Sequence, residues 1–287
     1  MLKYLIMFTK TRIGLNRIIY PKADLEEFFR ITSGLGLKKV ELRNDLPGRG
    51  IIDGLPAEKA RDLLHEHSLS VLTINALQKF NVPSLLHGLK QELKALIGLA
   101  RSIDCTAIVL CPNNDRNDGR PETVTFKDTV DALKIFSPLF EDAGLRGYME
   151  PLGFAESSLR SLLIAQEMIR EAGSPVYKIV HDTFHHHLGP ARSTSLRENY
   201  DISLTGLVHA SGVEDPLPVT RLRDEHRILV GPLDRLQSKQ QISLLLEMGY
   251  EGDICFEPFS GSVQNLAPEE LKRAIEASIR FLLAPKA

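Results

Sequence analysis

The chain has 287 residues, 43% hydrophobic and 25% charged, which suits a folded globular protein long enough for one extensive core. Its 35 basic and 37 acidic residues are interspersed and leave a net charge of −2, which argues against nucleic acid as a partner and against an anionic membrane surface. The opening "MLKYLIMFTKTR" is too short an apolar run to span a bilayer and lacks the order of a signal peptide. Together with three well-separated cysteines, Cys105, Cys111 and Cys255, this gives the expectation of a cytoplasmic protein with core thiols.

In chain order, eight apolar runs of strand length are expected at 3–8, 37–43, 70–77, 105–112, 145–151, 176–182, 204–210 and 252–258. Between and after them, helical periodicity covers 22–32, 57–68, 84–103, 125–144, 157–173, 236–249 and 267–283, with a weaker helical pattern in "GPARSTSLRENY". Ser157 reads as an N-cap, and Gly144, Gly173 and Gly249 as C-terminal stops. "SGLGLKK" (33–39) precedes a strand instead of following one, so it reads as a helix-ending turn and not as a nucleotide loop. Strand and helix alternating in this way imply parallel strands with right-handed crossovers. Eight units at this length fit one (β/α)8 TIM barrel domain over 1–287, with an open doubly wound sheet as the alternative.

A barrel brings the C-terminal ends of its strands to one face, and that gives meaning to "KIVHDTFHHHLGP" (178–190). Four successive strand ends carry metal-capable side chains: Glu150 in "YMEP", Asp182 in "VHDT", His209 in "LVHA" and Glu257 in "CFEP". Burying three carboxylates together is very costly without a cation, so the set points to one divalent metal ion, with Mn²⁺, Mg²⁺, Co²⁺ and Zn²⁺ all compatible. His185 is placed to contact a substrate oxygen, His186 to sit behind the site, and His187 to face solvent. His181 should point off the inner face if the strand alternates to its end.

The stretches "LTINALQKFN" (72–81), "YMEPLG" (148–153), "HDTFHHHLG" (181–189), "HASGVEDP" (209–216), "DEHR" (224–227) and "CFEPF" (255–259) resemble the xylose-isomerase-like TIM barrels of sugar isomerases and epimerases. The resemblance spans most of the chain and is strongest to members acting on inososes. It implies that Glu150, Asp182, His209 and Glu257 are metal ligands and that His185 and Arg227 bind substrate. The implied partner is a small cyclic ketose or sugar, and a homo-oligomer is compatible with it. The chain reads "ASG" at 210–212, where family members often carry an aspartate, and these residues border the expected pocket. The expected chemistry is isomerisation or epimerisation of an inosose or related ketose through an enediolate, with Glu150 and Glu257 as the proton-transfer pair. The alternatives are an inosose dehydratase, a metal-dependent hydrolase akin to abasic-site endonucleases, and a carbohydrate sensor without turnover.

Overall fold

The structure, a computed structural model, describes residues 8–190 and 193–285, apart from the side chains of 193 and 194. Eight parallel strands close into a barrel in sequence order. They are β1 Ile13–Asn16, β2 Lys39–Arg43, β3 Ser70–Leu77, β4 Ala107–Leu110, β5 Arg146–Met149, β6 Tyr177–Asp182, β7 Thr205–Ala210 and β8 Asp253–Phe256. The helices are α1 Leu25–Gly34, α2 Ala57–Glu66, α3 Leu86–Ser102, α4 Glu122–Ala143, α5 Leu162–Ala172, α6 Thr183–Leu188, α7 Ser193–Asn199, α8 Ser238–Glu247, α9 Gly261–Gln264 and α10 Pro268–Leu283. The fold is therefore a (β/α)8 TIM barrel, and the open sheet is excluded by the pairing of β1 with β8 through Ile13↔Ile254 and Leu15↔Phe256. Among the described residues no helix is long and apolar enough to cross a membrane.

Strand alternation sorts the side chains into two environments. Val40 and Leu42, Ile108 and Leu110, Ile179, Val208 and Ala210, and Ile254 and Phe256 face outward into the large core shared with the helices. Phe28 and Phe29 of α1, Phe136 and Phe140 of α4, and Leu271 and Ile275 of α10 are fully buried against them. Each such side chain contributes roughly 1.5–3 kcal/mol by leaving water. The opposite set of strand positions points into the barrel. Ala76, Val109, Cys111, Val180 and Leu207 fill it as a separate apolar cluster, so the lumen is packed and not a pore. Toward the C-terminal ends the same inward positions turn polar, with Glu41, Arg43, Asn75, Glu150, Asp182, His209 and Glu257 all buried.

The structure corrects the sequence reading in two places. The run at 3–8 is not the strand that closes the barrel; residues 3–7 lie outside the described part, and β1 is the four-residue "IGLN". A strand this short with a glycine in it has little apolar signature. The glycine is needed, since a Cβ on Gly14 would lie 2.7 Å from Cys255 Sγ across the β1–β8 seam. The helix expected from 157 begins at Leu162. Ser157 instead turns its hydroxyl onto the Leu159 carbonyl at 2.9 Å within the loop that follows β5. The triple histidine lies in the short helix α6. Gly144 and Gly173 do end α4 and α5, in the left-handed region.

Candidate metal centre

β-strand geometry places each site residue at the C-terminal mouth. Glu150 and Glu257 directly follow β5 and β8, and their backbone N–H groups still donate to the neighbouring strands at Leu110 and Ala210. Asp182 ends β6 opposite His209 of β7 in the parallel register. One ligand-capable atom from each of Glu150, Asp182, His209 and Glu257 lies within 4.8 Å of the others, and all four residues are buried. The structure thus brings together the four side chains singled out from the sequence.

The two nitrogens of His209 face different groups. Nδ1 looks into the cluster, 2.8 Å from Glu150 Oε1, 3.3 Å from Glu257 Oε2 and 3.9 Å from Asp182 Oδ2. Nε2 looks away from it, 3.1 Å from Glu41 Oε2, an acid that is itself fixed by the Thr73 hydroxyl at 2.5 Å. Burial would lower the His209 pKa, but Glu257, Glu41 and Glu150 outweigh burial and hold the imidazole well above the usual histidine range. Burial would likewise raise Glu257, yet His209, Arg227 and Arg43 keep its carboxyl well below the usual range.

The two oxygens of Asp182 have different partners. Its Oδ1 accepts the His185 N–H at 2.8 Å and caps α6, while Oδ2 accepts Arg227 Nη2 at 2.5 Å. Arg227 is fully buried. It also donates to Glu257 Oε2 at 2.7 Å and to Ser211 Oγ at 3.1 Å, and it packs over the rings of Phe184 and Phe259. His185 sits edge-on between Phe154 and Phe184, and its buried Nδ1 has no hydrogen-bond partner among the described residues. His181 faces outward as expected, with Nε2 2.9 Å from Gln241 of α8. His186 stacks on the His181 ring at 4.8 Å, and burial holds its pKa down at about 3. His187 is only half-buried.

Sequence reasoning missed Glu41 and Arg43 of β2. Their signal was present: in "KVELR" the charged Glu41 and Arg43 alternate with apolar Val40 and Leu42, so both charges share the inner face. Asn16, Asn75 and Cys111 were also missed, since nothing local marks an uncharged side chain whose glutamate partner is 39 or more residues away; Cys111 Sγ lies 3.6 Å from Glu150 Oε2.

The donor set fits a divalent cation. Glu41, Glu150, Asp182 and Glu257 bring four formal negative charges to the buried site, Arg43 and Arg227 return two positive ones, and a His209 that gives up its proton to ligate an ion would leave a balance of −2. The outer acids Asp45 and Asp224 are partly exposed and solvated. A separate cavity of about 930 Å³ opens on the rim near Arg120, Glu156, Arg160 and Arg223, and none of the four cluster residues lines it.

These features define a (β/α)8 barrel with a buried carboxylate–imidazole cluster at the C-terminal ends of its strands. The chain belongs to the xylose isomerase-like TIM barrel family, whose model matches residues 29–284. It is 25% identical over 229 residues to an inosose isomerase of Halalkalibacterium halodurans, covering 78% of this chain and 79% of that protein. A crystal structure of a xylose isomerase domain-containing protein from Salmonella typhimurium LT2 is 42% identical, with a TM-score of 0.89 over 96% of this chain and 98% of the other. The zinc-bound IolI protein shares the fold at 20% identity, with a TM-score of 0.86 over 95% and 98% of the two chains.

Proposed function

We propose that the protein is a divalent-metal-dependent isomerase or epimerase of an inosose or related ketose, acting by proton transfer through an enediolate. The observation that carries this reading is the convergence of Glu150, Asp182, His209 and Glu257 on one buried point at the barrel mouth, in a chain of this family. The inosose isomerase relative and the zinc-bound structural neighbour support the substrate class and the metal.

In this reading His209 would hold the ion through Nδ1 while donating Nε2–H to Glu41, the arrangement in which a carboxylate orients a ligating imidazole. A divalent ion held there would polarise two adjacent substrate oxygens and stabilise the charge that develops on them. Glu150 and Glu257 stand on the two flanks of His209 as the carboxylates within reach of a substrate C–H. Arg227 and the unpartnered Nδ1 of His185 supply donors for substrate hydroxyls, and Phe154, Phe184 and Phe259 wall the site against water.

The test is NMR of products from a panel of inososes and ketohexoses, run in D₂O with Mn²⁺-loaded protein. Proton transfer through a carboxyl predicts an isomer carrying deuterium on the carbon that lost its hydrogen or on its neighbour. An isomer free of deuterium would replace the mechanism with a hydride shift. A product lighter by one water would make the enzyme a dehydratase. No conversion of any substrate would refute the reading.

A further inference from the structure

The two glutamates that flank His209 differ in what holds their second oxygens. Glu257 Oε1 accepts Asn16 Nδ2 at 3.1 Å, Arg43 Nη1 at 2.7 Å and Asn75 Nδ2 at 3.3 Å. These donors come from β1, β2 and β3, whereas Glu150, Asp182 and His209 stand on β5, β6 and β7 or directly after them. A carboxylate oxygen offers two lone-pair directions, so three converging donors leave Oε1 no free acceptor site. The remaining oxygen, Oε2, is the one turned toward His209 Nδ1 and Arg227. Glu150 Oε2, by contrast, meets the Cys111 thiol at 3.6 Å, and a thiol is a weak donor.

Arg43 is itself built in place. Its Nε and Nη2 close on the two oxygens of Asp45, each at 2.7 Å, its guanidinium lies 5.1 Å from the centre of the Phe259 ring, and it is 3% exposed. A planar fork fixed by one carboxylate presents its remaining Nη1 in a set direction, which a flexible ammonium would not do.

The geometry points to Arg43 as a positioning residue that, with Asn16 and Asn75, locks Glu257 as a one-oxygen metal ligand through Oε2. This rests on the metal-dependent reading above. The lock keeps the carboxylate from turning to chelate the ion with both oxygens and so preserves coordination positions for two substrate oxygens. Glu150, without such a lock, keeps the freedom to turn toward a substrate proton.

The lock is tested first without substrate. Calorimetric Mn²⁺ affinity and the visible absorption spectrum of the Co²⁺-loaded protein are compared for wild type, Arg43→Ala, Arg43→Lys and Asn75→Ala. Arg43→Ala is expected to weaken Mn²⁺ binding by about 10–100-fold, the usual effect of removing a group that orients a ligand, and to shift the Co²⁺ spectrum as the Glu257 carboxylate, its Oε1 held then by two neutral amides alone, gains freedom to turn. Arg43→Lys should recover part of both, and Asn75→Ala should move both in the same direction by less. If Arg43→Ala does not fold by circular dichroism, Asn75→Ala decides, since it removes a donor from the same oxygen. Wild-type affinity together with a wild-type spectrum in a folded variant overturns the proposal. With a converted substrate and saturating metal, Arg43→Ala should lower kcat and leave KM unchanged; a raised KM at unchanged kcat would make Arg43 a substrate-gripping residue and overturn the positioning role. A wild type inert to every sugar defeats the isomerase reading alone, because the affinity and the spectrum are read without sugar.

Discussion

At His209 a single ring is asked to satisfy acids on both of its edges, with Glu41 beyond Nε2 and Glu150 beyond Nδ1. Replacing it with alanine removes a candidate ligand and takes the imidazole from among the buried carboxylates of Glu41, Glu150, Asp182 and Glu257. His209→Ala is therefore expected to lower metal affinity and melting temperature together, checked by calorimetry and by thermal unfolding with and without Mn²⁺. Equal unfolding curves for the variant and wild type in chelator, with equal metal affinity, would remove His209 from the centre. Arg227 gives the opposite lesson about burial. A substrate-gripping arginine on a surface loop could be lost at little cost in stability, but this one is buried between Asp182 and Glu257, each within 2.7 Å of Nη2. Taking away one partner of a buried ion pair typically costs about 3–5 kcal/mol. Arg227→Ala should thus unfold at markedly lower denaturant concentration in the absence of metal, and added Mn²⁺ should restore more stability to it than to wild type. Denaturant titration at two metal concentrations measures this.

At the scale of elements, α6 joins the site to the barrel wall. Its N-terminus is capped by Asp182, its His185 lies edge-on to Phe154 and Phe184, and its His186 packs against His181. The loop after β5 presses on it so closely that a Cβ on Gly153 would lie 2.2 Å from the His185 carbonyl oxygen and 2.6 Å from Leu188 Cβ. Gly153→Ala must push α6 away from the loop, an overpacking cost of about 1–3 kcal/mol. Its melting temperature should fall, and because His185 moves with α6, KM for substrate should rise more than metal affinity falls. The buried His186 also makes the element sensitive to acid. Its pKa is held down at about 3 by burial, with the neighbouring His181 and His187 acting in the same sense, against 6.5 for a free histidine. The unfolded chain therefore gains a proton below pH 6.5 that the folded ring refuses. Stability from this group is complete above that pH and falls by about 1.4 kcal/mol per unit as pH drops toward the folded value. His186→Gln should flatten the dependence of unfolding free energy on pH between about 6.5 and 4. An unchanged slope would mean that the ring protonates without unfolding.

For the whole molecule, the metal is expected to act as a stabilising ligand of the closed barrel, because its four candidate ligands come from four strands and meet only when the barrel is formed. An ion that binds the native state alone adds about 2.7 kcal/mol of stability at a free concentration a hundred times its Kd. Melting temperature should therefore climb with the logarithm of Mn²⁺ concentration and fall in chelator. A melting temperature indifferent to every divalent ion would refute a shared site.

The eight-fold alternation, the outward apolar positions and the four metal-capable strand-end side chains were legible in the sequence because each depends on local spacing. A period of two or 3.6 residues is written in contiguous residues, and a barrel sends every strand end to the same face. What the sequence could not supply was anything set by which residue meets which across the barrel. The strand at 13–16 is defined by the fit of Gly14 against Cys255 and not by its own hydrophobicity. Arg227 reads as part of a charged surface loop until the fold closes it over Asp182 and Glu257. Arg43 and Asn75 acquire their meaning only through Glu257, more than 180 residues further along the chain. Local pattern determines backbone type because the relevant interactions are short-range in sequence. The hydrogen bonds that aim each carboxylate join residues far apart in the chain, and only barrel closure brings them within reach.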